Sequence, residues 1–305
     1  MKVIFMGTPE FACPALEKLI KCKQVEICGV FTKEPKIANR GQKISKSAIH
    51  KLAEINNLRV FTPKNFKDEK NLEEFKSLKA DIALVVAYGI ILPKTILEST
   101  KFGCINIHPS ILPKYRGATP IQSALLSQDK KTGVSIIKMD EGIDSGDIIS
   151  QKILDIDPNF LYTDLAEMLA NIGAEMALDA IINFKENKIS LTMQDSERSS
   201  LCYKIKKEDS KIDFSKDVSE IIAKIKALSG YLTCFTEVKN ERIKIFSAKE
   251  VIFNNSKLLD FKNGEIVDQS FIIKCKNGFI QPQILQREGK KIANLKEFLL
   301  GYKVI

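Results

Sequence analysis

Six apolar runs punctuate the first half of the chain: Lys2–Met6, Val25–Phe31, Ala80–Ala87, Phe102–Ile107, Val134–Met139 and Ile148–Leu154. The run Ala80–Ala87 is almost continuously apolar, and continuous runs of this kind suit strands covered on both faces of a parallel sheet. Pro14–Cys22 has helical spacing, and Thr119-Pro120 reads as the cap and first position of a helix over Ile121–Ser127. Leu165, Met168, Leu169, Ile172 and Met176 form a helical stripe that packs into a core, with Thr163 as its expected cap. From Asn187 to about Ser210 the pattern dissolves into polar, Ser- and Lys-rich sequence. A helix over Val218–Leu228 follows, then short segments at Thr233–Val238, Ile243–Ala248, Gly264–Val267, Phe271–Lys276 and Phe279–Leu285. Asn240, Asn263-Gly264 and Asn277-Gly278 punctuate them as hairpin turns. The expected fold is α/β: a Rossmann-like, mostly parallel sheet with helices on both faces over 1–189, a linker over 190–208, and a smaller OB-like β-barrel over 209–305.

The 305 residues are 44% hydrophobic and 28% charged, a globular composition with room for a large core. The opening apolar run is too short to span a bilayer and lacks the three-part pattern of a secretory signal, so a cytoplasmic location is expected. Seven cysteines include no C-x-x-C pair, which suits reduced, buried thiols and argues against a zinc site. The net charge is +9, of which +6 falls on residues 206–305 and +3 on the remainder. That asymmetry points the smaller domain toward a nucleic acid.

Only two histidines occur. His108 stands two residues after Asn106 at the end of an expected buried strand, so the two side chains share a face. The next segment, Pro109 to Gly117, is too rich in Pro and Gly to continue the strand and reads as a loop at the carboxyl end of the sheet, where open α/β folds bind ligands. Asp144 lies in a Gly-flanked turn, where Asp140, Glu141 and Asp147 compete with it as ordinary turn carboxylates. An amide, an imidazole and a carboxylate together suit attack of an amine on an acyl carbon. Asn106 and His108 would donate to the oxyanion, and Asp144 would move the proton through His108 or a bound water. Gly7-Thr8-Pro9-Glu10 lacks the dinucleotide fingerprint, and no phosphate-binding Gly-Lys-Ser/Thr loop occurs, so no nucleotide is expected. His50, in a Lys-flanked helical stretch, reads as a surface residue.

Asn106-x-His108, Ser110-Ile111-Leu112-Pro113, Tyr115-Arg116-Gly117 and the Asp140–Asp147 loop, in this order, resemble the 10-formyltetrahydrofolate-dependent formyltransferase family. Val3-Ile4-Phe5-Met6-Gly7-Thr8-Pro9-Glu10-Phe11-Ala12, Tyr203 to Glu208 and Ile212-Asp213-Phe214 resemble its tRNA-formylating branch, and the resemblance covers nearly the full length. The family's usual Trp-Pro-Gly appears here as Ser229-Gly230-Tyr231, and the chain has no Trp. The resemblance implies transfer of formyl from 10-formyltetrahydrofolate to the α-amine of methionine on initiator tRNA, with Asn106, His108 and Asp144 catalytic. It implies a pterin pocket at loops 86–92, 110–113 and 138–144, with Ser110, Ile111, Leu112 and Pro113 shaping the folate wall. It places Arg40, Lys43, Lys206 and Lys207 against tRNA, and it implies a monomer with no metal and no membrane partner. Two alternatives stay open. One is a sibling that formylates a nucleotide-sugar or glycinamide amine, or hydrolyses the donor; the other is an RNA-binding module that has lost catalysis.

Overall fold

The computed structural model describes residues 1–38, 43–252 and 260–305. In chain order come β1 (Lys2–Gly7), α1 (Cys13–Lys21), β2 (Glu26–Phe31), β3 (Lys36–Ala38), β4 (Lys43–Ser45), α2 (Ala48–Ile55), β5 (Val60–Phe61) and α3 (Glu69–Ser77). Then follow β6 (Ile82–Val86), α4 (Lys94–Leu97), β7 (Cys104–His108), β8 (Arg116–Gly117), α5 (Pro120–Leu126), β9 (Lys131–Lys138), β10 (Ile148–Asp155), α6 (Tyr162–Lys185) and β11 (Leu201–Cys202). The last group is α7 (Val218–Leu228), β12 (Cys234–Val238), β13 (Glu241–Val251), β14 (Ile273–Cys275), β15 (Gly278–Arg287), β16 (Ala293–Asn294) and α8 (Leu295–Leu300). The chain divides into two compact units. One is Met1–Pro120, Thr132–Leu154 and Ala166–Cys202; the other is Ile121–Lys131, Asp155–Leu165 and Tyr203–Ile305.

The first unit is built on a seven-stranded sheet in the order β10-β9-β7-β6-β1-β2-β5. From β5 to β7 the pairings are parallel, and β9 joins β7 antiparallel. The near-continuous apolar runs are explained by this: β1 is buried from Val3 onward, and β6 and β7 are buried at every position. The strand order reverses between β1 and β6, so the carboxyl ends of these strands and of neighbouring β7 border the crevice that such sheets use for ligands. Ser47 caps α2 by accepting from the His50 amide at 3.0 Å, and Asp68 caps α3 in the same way from Lys70. β5 was invisible in the apolar pattern because it is only two residues long.

Two expectations change. Thr163 does not cap α6, which already starts at Tyr162; Asp164 Oδ2 accepts from the Leu161 amide at 2.9 Å instead. The segment expected as a linker is not a bare tether, since residues up to Cys202 belong to the first unit and hydrogen-bond within it.

The second unit carries an antiparallel sheet, β12-β13-β15-β14, with β16 added on β15, in the manner of an OB-like half-barrel. Its hairpin turns follow from residue type. Val238 faces Glu241 across Lys239 and Asn240, both at positive φ (50° and 63°), as a two-residue primed turn requires. Register irregularities at Ile245/Ser247 and Ser247/Ala248 bend β13 and curl the sheet. Ile221, Ile225, Leu228, Ile243, Ile245, Phe271 and Phe298 fill its interior. Gly264–Val267 forms only an isolated bridge, Ile266 to Ile273, because the chain turns back at once through Phe271, whose φ is +60°. At the Ser229-Gly230-Tyr231 departure Gly230 takes φ +76°, and the Tyr231 ring packs 5.6 Å from that of Tyr162.

Among the described residues no helix is long and apolar enough to cross a membrane. Leu84 is fully buried at the centre of β6. Leu84→Ala should lower stability by about 2–5 kcal/mol, read as a shift of the urea midpoint with unchanged slope; a midpoint within error of wild type would contradict this packing.

Candidate active site

β7 brings two polar side chains into an otherwise apolar layer. Asn106 lies between Val85 of β6 and Ile137 of β9, and His108 lies opposite Ser135. Both are buried, with 8% and 3% of their surface exposed. Buried polar groups need partners, and these find theirs in one carboxylate. Asn106 Nδ2 donates to Asp144 Oδ1 at 3.2 Å, and His108 Nδ1 is 3.4 Å from Asp144 Oδ2. The other ring nitrogen, Nε2, is 2.8 Å from the Tyr115 carbonyl, which can only accept, so Nε2 carries a hydrogen. Asp144 is the acid of its loop that meets Asn106 and His108. Asp140 closes its own turn on Gly142 and Ser145, and Glu141 reaches Lys94 at 3.4 Å.

The loop carrying Asp144 has little freedom. Asp144 itself sits at φ +48°. A Cβ on Gly146 would collide with the Lys138 carbonyl, so only glycine fits there. Gly117 donates its amide to Asp144 Oδ2 at 2.9 Å from a backbone at φ +114°, and a Cβ there would collide with the Cys202 carbonyl. β8 is pinned in parallel by β11, while the Tyr115 amide donates to Ser200 Oγ and the Arg116 amide to the Ser200 carbonyl. Gln194 is buried behind the loop. Its Oε1 accepts from Nε and Nη2 of Arg116, at 3.0 and 2.9 Å, and its Nε2 donates to the carbonyls of Asp144 and Gly146, at 2.9 and 2.7 Å. Gln194 and Ser200 were not legible in sequence, because this polar stretch has no periodicity.

Ser110–Pro113 forms a preformed wall. Ser110 is buried, its hydroxyl donating to the Lys114 carbonyl at 2.6 Å, so it does not face a ligand. The carbonyls of Ser110, Ile111, Leu112 and Pro113 all accept from within the protein, from Ser135 Oγ, Lys114 N, Gln151 Nε2 and Ser200 N. Ser135 organises this wall. Its hydroxyl gives one hydrogen bond, to Ser110 O, and accepts two, from Leu112 N and Gln151 Nε2. A lone serine in the apolar run Val134–Ile137 was the available signal, since a polar residue in a buried strand needs an explanation. On the 86–92 loop, Tyr88 is 2% exposed and its hydroxyl meets no hydrogen-bond partner among the described residues; burial pushes its pKa up. Ile91 of this loop and Ile143 beside Asp144 are exposed.

Arg40 falls outside the described residues, and Lys43 opens β4, which pairs antiparallel with β3. Lys206 and Lys207 are exposed in the second unit. His50 is not the surface residue expected. It lies largely buried on α2, its Nδ1 without a partner among the described residues and its Nε2 3.3 Å from Glu54.

Comparison with known proteins places these residues in context. Residues 1–181 match the formyl transferase family, and residues 204–303 match the formyl transferase C-terminal domain family. A methionyl-tRNA formyltransferase of Ehrlichia canis is 40% identical over 100% of this chain and 98% of its own. One from Rickettsia conorii is 37% identical over the same shares. Among solved structures, an N-formyltransferase from Helicobacter canadensis in complex with folinic acid and dTDP-3-aminofucose is 25% identical, with a TM-score of 0.68, covering 94% of this chain and 99% of that one.

The φ and the close approach at Gly117 make a direct prediction. Gly117→Ala should cost about 1–3 kcal/mol of stability from backbone strain alone, measurable as a lowered melting temperature. An unchanged melting temperature would contradict the packing of β8 on β11.

Proposed function

The chain belongs to the formyl transferase family, and we propose that it transfers the formyl group of 10-formyltetrahydrofolate to the α-amine of methionine carried by initiator tRNA. The observation that carries this reading is the closed set of Asn106, His108 and Asp144 in a chain whose full length matches tRNA-formylating relatives at about the 40% level. The sugar-formylating structure is more distant, at 25% identity, so the nucleotide-sugar alternative is not preferred.

The site's residues suit the folate. Ile91 and Ile143 offer exposed apolar surface on two of the expected loops, the 110–113 wall is rigid, and the Tyr88 hydroxyl is a buried polar atom still unpaired among the described residues. With its own carbonyls already engaged, the 110–113 wall contributes shape rather than side-chain chemistry. The folate supplies the formyl carbon when bound; the rest is done by this chain. Asn106 keeps a second N–H beyond the one given to Asp144. That N–H stabilises the oxyanion as the amine adds to the formyl carbon, while His108, whose ring nitrogens meet the Tyr115 carbonyl and Asp144, keeps the carboxylate in place and serves the proton transfer. Asp144, through His108 or a bound water, takes the proton from the attacking nitrogen once the new C–N bond has formed and gives it to N10, whose bond to the formyl carbon breaks as the oxyanion collapses.

Arg40, Lys43, Lys206 and Lys207 supply positive charge for the phosphates of the tRNA, whose unpaired end and shape give identity. One chain carries the whole catalytic set, which is compatible with action as a monomer, and a translation-related substrate fits a cytoplasmic location.

Labelled formyl from 10-formyltetrahydrofolate should appear on charged initiator tRNA and not on uncharged tRNA or small amines. Label on small amines instead would move the protein to a sibling reaction. His108→Ala and Asn106→Ala should each lower turnover by roughly two to four orders of magnitude with the melting temperature preserved; near-wild-type turnover in either would sink the mechanism. Arg40→Ala combined with Lys206→Ala should weaken tRNA-dependent activity and flatten its dependence on salt, the logarithmic slope falling by about one for each phosphate left unneutralised. An unchanged slope would return both residues to the solvated surface.

A further inference from the structure

We propose that Gln194 is a positioning residue for the reaction, fixing Asp144 opposite His108 by transmitting the grip of the buried Arg116 guanidinium to the Asp144 loop. The inference rests on the activity proposed above and adds a residue outside the segments matched by either family domain, 1–181 and 204–303.

The surroundings of Arg116 are electrostatically odd. Arg116 is 8% exposed, yet its Nε and Nη2 both point at a neutral oxygen, Gln194 Oε1, rather than at a carboxylate. Buried guanidinium groups ordinarily find an anion, which would repay more of the lost hydration. An amide is used here because of what its other end does. Gln194 Nε2 donates to the carbonyls of Asp144 and Gly146, so both lone pairs and both N–H groups of the amide are engaged. The orientation is therefore dictated. Turned over, the amide would set its NH2 against the guanidinium and its oxygen against two carbonyls.

Asp144 is then held from three directions. Asn106 Nδ2 reaches Oδ1, the Gly117 amide reaches Oδ2, and Gln194 holds the main-chain carbonyl. The residue lies at φ +48°, a conformation that needs support from its surroundings. Arg116 also neighbours Gly117, so the same short β8 segment acts on both the side chain and, through Gln194, the main chain of Asp144. Lysine at 116 could not grip one oxygen with two fixed N–H groups.

Substitution by glutamate separates this role from mere packing. Gln194→Glu gives Arg116 a carboxylate partner of the same size, but it has no N–H for the carbonyls of Asp144 and Gly146. We expect Gln194→Glu, which keeps a partner for Arg116, to melt no lower than Gln194→Ala, and to lower kcat about 10–100-fold with the tRNA KM nearly unchanged. Gln194→Ala should lower kcat as far and lose stability as well. A readout independent of activity is hydrogen exchange of the Gly117 amide, the group bound to Asp144 Oδ2, which should accelerate about tenfold in Gln194→Glu. Wild-type kcat in the glutamate variant, or Gly117 protection unchanged despite slowed turnover, overturns the proposal. Absence of formyl transfer in the wild type would overturn the proposed activity instead, and Gly117 exchange would still decide whether Gln194 holds Asp144.

Discussion

Everything chemical in this protein converges on one partly buried carboxylate. Asp144 meets Asn106 and His108 from β7, Gly117 from β8 and Gln194 from the segment before β11. A carboxylate taken out of water must be repaid in hydrogen bonds, and its donors come from β7 and β8, while Gln194 holds the main-chain carbonyl of the same residue. The apolar sheet supplies the rigidity that makes this possible. β7 is buried along its whole length, so the spacing of Asn106 and His108 is set by the pleat rather than by a mobile loop.

A second, independent polar arrangement braces the neighbouring wall. Ser135 is fully buried on β9, opposite His108, and ties β9 to Ser110 and Leu112, while Gln151 of β10 joins the same hydroxyl. The two arrangements share a logic. Gln194 and Ser135 use every hydrogen-bonding position they have, so each admits one orientation. His108 obeys it as well, since a carbonyl on one side and a carboxylate on the other leave no alternative ring setting.

What could be read from the chain divides along physical lines. The strands β1, β2, β6, β7, β9 and β10 and helix α7 were visible because their apolar patterns extend over several residues. The Asn106, His108 and Asp144 grouping was visible from the alternation along β7 and a Gly-flanked turn, although spacing alone left three rival carboxylates. The two-residue strands β5, β8 and β11 were not, because such short segments are specified by tertiary pairing and carry no period of their own. Gln194 and Ser200 were hidden for a related reason. A polar segment that hydrogen-bonds to backbone has the composition of a linker, and only the placement of its donors distinguishes the two. His50 was misjudged from its lysine neighbours: Lys46 precedes α2, and Lys51 is exposed on it.

The parallel of β8 with β11 joins residues more than eighty positions apart. Strands β1 to β10 all precede that junction, so the sheet can form on a growing chain before the site is whole. Translation at about 5–20 residues per second separates the end of β10 from Cys202 by several seconds. Through that interval the nascent chain has its nucleus, its strand order and even His108 in register, but Asp144 has yet to receive Gln194. The order of synthesis thus places the closing of the site after the scaffold that carries it, at the point where the longest segment of the second unit begins to emerge.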